Sequence, residues 1–348
     1  MTKTPDGKDA GAKAAGGTPD ASGTQALPLI GAQTSTAGGF APVPGRAVAL
    51  GAEAVQVFSS NPRMWRPQRP PSPEELESFT SGLREHRLPL FFHAIYMINL
   101  ATPDEQLRQR SVGALAHSLA LGMVAGAAGV VTHIGSHRGE GTGRGCVWAA
   151  GAISEAVAAA HETGATLAGG HHTGLLLPPL LLETGVGSGN GVGGRLEDLA
   201  EIIDALPAAE SRPALGACID TAHLFAAGYA VHTADGLQAT VDELARLQLL
   251  PLIRLVHLND SSTPFGSRRD VHENPGDGCI GYEGLARVVR HPALARVPFV
   301  LETPGLAGHG PDAPNICIAK AMRTDEPAEQ TARTILGRPF AGERALED

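Results

Sequence analysis

The chain has few cysteines, and none of them lies close to another. Its 348 residues include four, and none forms a CxxC pair. Scattered cysteines favour free thiols in a reducing cytoplasm over a disulfide framework. Any metal ligands are therefore expected to be His and carboxylate side chains. The cysteines are Cys146, Cys218, Cys279 and Cys317.

The chain also lacks a long hydrophobic run. No apolar segment follows its first residues, which argues against a secretory signal. The most apolar stretch, residues 175–182, is short and is interrupted by Pro178 and Pro179, whereas a bilayer span needs about 20 apolar residues. The sequence therefore predicts a cytoplasmic protein with no membrane partner, and we expect a monomer.

Nine potential metal ligands follow, or lie just beyond, short apolar runs typical of β-strands. A single His at a strand end more often has an ordinary structural partner, but strand interiors disfavour Asp and Glu, and six strand ends repeat the pattern. Imidazole and carboxylate together suit zinc, and nine groups exceed the needs of one tetrahedral ion. The pattern predicts a multinuclear site. The nine are His93, His133, Glu183, Asp220, His223, His257, Asp270, His272 and Glu302.

The strand candidates number eight when residues 28–33 and 54–59 are added, and helical stretches separate most of them. This alternation predicts an α/β fold, the (β/α)₈ TIM barrel, whose active site lies at the C-terminal ends of the strands. We expect one barrel domain over residues 28–323 with an insertion at about 162–179, and a C-terminal extension over 324–348. Residues 1–27 have the composition of a disordered tail.

Two helices have clear sequence signals. Ser72 and Pro73 predict an N-cap and a first helical position, with Glu75 placed for a capping box. A second helix over residues 196–206 is expected to bury one apolar face. That face comprises Leu196, Leu199, Ile203 and Leu206, with Glu197, Asp198, Glu201 and Asp204 off it.

The net charge of −9 is unusual for a protein that handles nucleic acid. Three divalent ions would add six positive charges, taking −9 to −3, and would concentrate them at the site. The acidic balance is therefore only weak evidence against a nucleic-acid substrate.

Several long motifs resemble those of the endonuclease IV family of apurinic/apyrimidinic endonucleases, in order, from about Ile30 to about Glu302. The motifs are GAQTSTAGGF (31–40), NPRMWR (61–66), HAIYMINLA (93–101), HIGSH (133–137), CIDTAHLFAAGY (218–229), HLNDSSTPFGSRRDVHENPGDGCIG (257–281) and LET (301–303).

The resemblance implies a TIM barrel with three zinc ions that cuts double-stranded DNA on the 5′ side of an abasic site. By position, the first zinc would be held by His93 and His133, with Glu183 bridging to the second. Asp220, His257 and Glu302 would complete the second, and His223, Asp270 and His272 would hold the third.

The chemistry expected from this resemblance is direct hydrolysis that leaves a 3′-hydroxyl and a 5′-deoxyribose phosphate. Glu183 or Glu302 would also orient the attacking water. Arg63, Tyr96 and Met97 would enter the minor groove and wedge the stack at the lesion, where unstacking costs least.

The sequence departs from the family pattern at Gln33, where His is common, and at Thr184, where Asn is common. The glycine-rich run 185–191 lacks a GxGxxG or Walker lysine, so we expect a loop of close backbone approach and no nucleotide cradle. His137 is expected to be either an outer partner of the metal ligands or a surface loop residue.

Two alternatives remain open. A metal-dependent sugar isomerase or epimerase could use the same barrel, because fold does not fix function. Asp270, His272 and the Arg63 loop argue against it, since they indicate a third metal and an extended polymer. A protein that binds abasic DNA without cutting it is the second alternative, and the intact ligand set argues against that.

Overall fold

The computed structural model describes residues 27–65, 70–167, 175–207 and 214–341. The predicted N-terminal tail, apart from Leu27, lies outside these ranges. So do His171 and His172 of the predicted insertion and residues 342–348 of the C-terminal extension. The domain boundaries drawn from the sequence stay predictions.

The strands are short, and most end at or next to a predicted ligand. They are β1 Ile30–Gln33, β2 Val55–Phe58, β3 Leu90–His93, β4 Gly129–Thr132, β5 Leu180–Glu183, β6 Leu215–Asp220, β7 Ile253–His257, β8 Asp260–Ser261, β9 His272–Glu273 and β10 Phe299–Leu301.

Among the described residues, eight parallel strands close into a barrel in the order β1-β10-β7-β6-β5-β4-β3-β2. Closure is made by β1 and β10, where Ile30 lies opposite Phe299. The remaining two strands, β8 and β9, form an antiparallel pair in the loop that follows β7. The predicted TIM barrel is therefore confirmed.

Helices cover the outside of the barrel. They are α1 Val43–Leu50, α2 Pro73–Glu85, α3 Glu105–Ala125, α4 Thr142–Leu167, α5 Leu196–Ala205, α6 Thr221–Ala227, α7 Ala234–Arg246, α8 Gly281–Arg290, α9 Ala313–Ala321 and α10 Ala328–Thr331, with a π-helical turn at Ala332–Leu336. In the described part of the chain, none of the helices has the length and apolar character needed to cross a bilayer.

The barrel interior is filled by a separate apolar cluster below the strand ends. The cluster consists of Phe91, Val131, Leu181, Cys218, Leu255 and Val300. Each of these lies two residues before a predicted ligand, and side chains alternate between the two faces of a strand. The same alternation that buries this layer therefore directs six ligands into the barrel mouth, directly above it.

The two helix predictions were partly right. Ser72 does cap α2, accepting a hydrogen bond from the Glu75 amide at 3.2 Å, but the Glu75 carboxylate accepts the Phe40 amide at 2.7 Å. In α5, Asp198 is buried and Ile203 only half-buried, contrary to the predicted face. Asp198 is buried because its carboxylate, in the first turn of α5, accepts hydrogen bonds from the Gly193 and Arg195 amides just before the helix.

Glu53, which lies just before β2, connects several elements at the base of the barrel. Its carboxylate accepts the Ile30 amide at 2.9 Å and lies 3.0 Å from Lys320 Nζ and 3.1 Å from Arg323 Nη2. One side chain thus connects the start of β1 to the end of α9. Burial by itself would raise the pKa of Glu53, but these hydrogen bonds and cations outweigh it and lower the pKa below its ordinary value.

Candidate metal centre

The structure brings all nine predicted ligands to the C-terminal mouth of the barrel, within a network of short contacts. Six come from the ends of β3 to β7 and β10, and His223 lies in the first turn of α6. Asp270 and His272 come from the loop after β7, where β9 pairs with β8. That hairpin was not predicted, because two-residue strands carry no periodic signal.

Glu183 lies at the centre of the cluster and uses its two oxygens differently. Oε2 is 3.2 Å from His93 Nε2 and 3.2 Å from His133 Nδ1. Oε1 is 2.9 Å from His257 Nδ1 and 3.6 Å from His223 Nδ1. A carboxylate placed in this way can bridge two cations.

The ligand atoms fall into three groups that could each hold an ion. They are His93, His133 and Glu183; Glu183, Asp220, His257 and Glu302; and Asp220, His223 and His272. In the second group, His257 Nδ1 is 3.2 Å from Glu302 Oε2 and 3.8 Å from Asp220 Oδ2. The third group contains Asp220, whereas the sequence-based assignment placed Asp270 there.

Asp270 nevertheless lies next to that third group. Its two oxygens are 3.3 Å from His223 Nε2 and 3.2 Å from His272 Nε2. Both nitrogens are buried, and among the described residues their contacts with Asp270 are ion-pair contacts and not well-aligned hydrogen bonds. Two imidazole nitrogens that converge on one carboxylate form a donor set of the kind that holds a divalent metal ion.

The electrostatics of the cluster favour bound positive charge. Burial by itself raises the pKa of Glu183, but His133 and His257 outweigh it and hold that pKa well below its ordinary value. Burial by itself lowers the pKa of His272, yet Asp220 and Asp270 raise it to about 9. Glu183 is thus held ionised, and His272 retains a proton that a cation would replace.

Gln56 is an outer partner of the site that the sequence analysis missed. It is fully buried on the interior face of β2. Its Oε1 accepts from His257 Nε2 at 3.0 Å, and its Nε2 donates to Glu302 Oε1 at 2.6 Å and to Gln33 Oε1 at 2.8 Å. With Nε2 of His257 turned to this amide, Nδ1 faces the carboxylates of Glu183 and Glu302. The signal was a lone amide between Val55 and Val57 in an apolar strand.

Two further residues orient ligands. The Thr184 carbonyl accepts from His223 Nδ1 at 2.7 Å, which directs His223 Nε2 towards Asp270. Asn259 was not singled out in the sequence; its Nδ2 donates to Asp220 Oδ2 at 2.7 Å. Such contacts fix ring tautomer and carboxylate orientation.

The predicted DNA-contacting residues lie on neighbouring loops at the mouth. Arg63 is exposed in the turn after β2, and the Tyr96 amide donates to the Pro62 carbonyl, which joins the two loops. Tyr96 is 50% exposed and Met97 36% exposed. Tyr96 also lines an open cavity of about 550 Å³ that leads to His133, His223, Asp270, His272 and Glu302.

The glycine-rich run forms a wall of this mouth, as a loop of close approach. A Cβ on Gly194 would lie 2.2 Å from the Gly187 Cα, so the loop can cross itself only without side chains. His137 has neither of its predicted roles: it is buried, and its Nδ1 accepts from the Gly139 and Gly141 amides, closing the loop that leads into α4.

Comparisons with known proteins agree with this geometry. Residues 44–323 match the family described as a xylose isomerase-like TIM barrel. The chain is 38% identical over 296 residues to a probable endonuclease 4 of Nitratidesulfovibrio vulgaris, covering 85% of this chain and 99% of the relative. A D-tagatose 3-epimerase-like protein shares the fold alone, at 16% identity and a TM-score of 0.59, with 91% of this chain and 99% of that chain covered. The crystal structure of endonuclease IV from Thermus thermophilus is similar at 35% identity and a TM-score of 0.69, covering 85% of this chain and 98% of that one. This chain belongs to the endonuclease IV family.

Proposed function

We propose that this protein is a metal-dependent nuclease that hydrolyses the backbone of double-stranded DNA on the 5′ side of abasic sites, leaving a 3′-hydroxyl and a 5′-deoxyribose phosphate. The observation that supports it best is the convergence of three ligand groups, sharing Glu183 and Asp220, at one barrel mouth. Family membership supports the hydrolase class, and the open mouth suits a polymer. The proposal includes a cytoplasmic monomer that repairs DNA.

The proposed cofactor is three zinc ions per chain. His93, His133 and Glu183 would hold the first ion, and Glu183, Asp220, His257 and Glu302 the second. His223, Asp270 and His272 would hold the third, with Asp220 within reach. Divalent ions held there would activate water at neutral pH and stabilise charge on a phosphate undergoing in-line displacement.

Side chains of the protein would orient the attacking water and accept its proton. Glu302 has one oxygen held by Gln56 and the other beside His257, and it borders the open cavity. It is therefore placed to orient the attacking water and to accept its proton. Glu183 is fully buried, which suits a bridging role.

Recognition would fall to the two joined loops at the mouth. Arg63, Tyr96 and Met97 present a cation and two large side chains on these loops, and Tyr96 lines the cavity; this is the combination needed to enter a minor groove and wedge a base step. An abasic nucleotide has no base to unstack, so it would turn into the pocket at the lowest cost.

One incision assay separates the candidate functions. Full-length protein loaded with zinc is incubated with a labelled duplex carrying one abasic site, with and without chelator, beside an undamaged duplex. We expect incision of the abasic duplex alone, chelator-sensitive, with a 3′ end that a polymerase extends. Tight binding without a cut would favour the non-cleaving alternative, and turnover of a ketohexose without incision would favour an epimerase.

Elemental analysis of protein that has not been exposed to a chelator tests the number and identity of the bound metal ions separately. About three zinc ions per chain are expected from the three ligand groups. One ion or none would contradict a trinuclear centre.

A further inference from the structure

The C-terminal end of the described chain packs against the segment that follows Asp270 and His272 in the loop after β7. We use the name C-terminal strap for residues 328–341, which begin with α10 and the π-helical turn. The stretch that matches the family description ends at residue 323, before the strap begins. Phe340 in the strap is only 1% exposed, which indicates a docked segment.

The strap contacts residues 276–282, which directly follow β9. Phe340 stacks on Tyr282 with ring centroids 5.5 Å apart. Gly276 has a φ of +91°, and a Cβ there would lie 2.6 Å from the Phe340 ring. Arg338 makes a two-pronged ion pair with Asp277, at 2.9 and 2.6 Å, and the Ala341 amide donates to Asp277 at 2.7 Å.

The opposite side of this loop is held by Asp260, which is fully buried. Its carboxylate accepts the amides of Gly276, Gly278, Ile280 and Gly281 at 2.9 to 3.3 Å. The loop is thus fixed between an internal carboxylate and the external strap. The short β8–β9 pair, which sets His272 opposite Ser261, adjoins it.

Asp270 and His272, which lie just before this loop, need such support more than the other predicted ligands do. Six ligands extend from barrel strands, whereas Asp270 is 49% exposed on a loop and His272 belongs to a two-residue strand. We propose that Arg338 and Phe340 are positioning residues that act through residues 276–280 on His272, and so set the affinity of the third metal group. This inference rests on the proposed metal function.

The test compares the full-length protein with Arg338→Ala and Phe340→Ala by zinc titration against a competing chelator. Outer partners of metal ligands typically change affinity by about tenfold to a hundredfold. We expect each variant to lose one ion at a chelator concentration about tenfold lower than the wild type requires. The other ions should be kept. Arg338→Lys should give an intermediate loss, because Lys cannot make the two-pronged contact.

Two control variants isolate the effect. Arg333→Ala removes an exposed pair with Glu329 on the same strap and should keep every ion. Glu53→Ala destabilises the opposite end of the barrel, so equal loss of the same ion at a matched drop in Tm would overturn the inference. Unchanged zinc affinity in both strap variants would overturn it as well. Wild-type protein that binds no zinc would refute the metal centre itself, and the inference with it.

Hydrogen exchange on zinc-free protein gives a second, metal-independent readout. Amides of Gly276, Gly278 and Ile280 should exchange faster in Phe340→Ala than in wild type, with the barrel strands unchanged. Equal protection of these amides in both proteins would also contradict a positioning role.

Discussion

Single side chains outside the ligand set control how the ligands are oriented, and Gln56 is the clearest example. It joins His257 to Glu302 by two hydrogen bonds from a fully buried position. In Gln56→Leu the Nε2 proton of His257 would lose its partner, and a buried unpaired donor costs about 1–3 kcal/mol.

We therefore expect Gln56→Leu to lower zinc affinity by about tenfold or more, the range typical of outer partners of metal ligands. A competitive chelator titration measures this. Gln33→Leu removes only the outer contact of Gln56 and should lower zinc affinity by a smaller factor. If Gln56→Leu binds zinc as the wild type does, then the ligands orient themselves without the amide.

Glu302→Gln tests the proposed water-orienting carboxylate. The fold and most of the abasic-site binding should remain, while incision falls by roughly a hundredfold or more, the scale expected when a general base is lost. Single-turnover incision with a separate binding assay measures the two effects. Glu140→Gln, on an exposed loop, is a suitable control. Near-normal cleavage by Glu302→Gln would remove this residue from the mechanism.

The placement of six candidate ligands at the barrel mouth could be predicted because each lies at or just after the end of an apolar strand and stands out there chemically. Their supporting residues could not be predicted as readily. Gln56 and His257 are 201 residues apart in sequence, so only barrel closure reveals that they touch. The roles of Asn259 and of the Thr184 carbonyl likewise depend on backbone turns, which side-chain type does not encode.

Among the elements, the eight barrel strands were predictable, since alternating apolar runs and helical stretches point to few other folds. The β8–β9 pair, the internal cap of Asp198 on α5 and the docked strap were not. Each depends on contacts between segments that lack a periodic pattern of their own. They shape the loops around the mouth, where sequence signals are weakest.

The paired loops after β2 and β3 make a prediction at this scale. Arg63→Ala should weaken binding and incision of an abasic duplex by about tenfold, the size of one lost charge-assisted contact of about 1.5 kcal/mol. Zinc content and hydrolysis of a small phosphodiester should not change. Arg246→Ala, an exposed arginine on α7, is the matched control. Equal losses on the small ester and the duplex would mean that Arg63 supports the site or the fold.

For the whole molecule, closure of the barrel base depends in part on Glu53. Its carboxylate is ionised more readily in the folded chain, so its contribution is fully present above the ordinary Glu pKa. That contribution disappears as the pH falls through the lower folded-state pKa. The group is partly exposed, so we expect about 0.5–1 kcal/mol at pH 7.

Glu53→Gln should therefore reduce the free energy of unfolding by that amount at pH 7, and the difference from wild type should vanish in acid. Urea unfolding of zinc-free protein at both pH values measures it, because zinc-free samples keep acid release of metal out of the comparison. A difference that is constant with pH would show that Glu53 acts by packing and not by charge.

The two ends of the described chain lie at opposite faces of the barrel. Leu27 precedes the start of β1, at the base, whereas Ala341 contacts Asp277 beside the loop of the third ligand group. An affinity tag or fluorescent partner fused before residue 27 would stand away from the mouth. The same fusion after residue 341 would emerge at the rim, beside the strap and the mouth proposed to receive DNA. Protein intended for immobilisation or kinetic work is therefore best tethered through its N-terminal side.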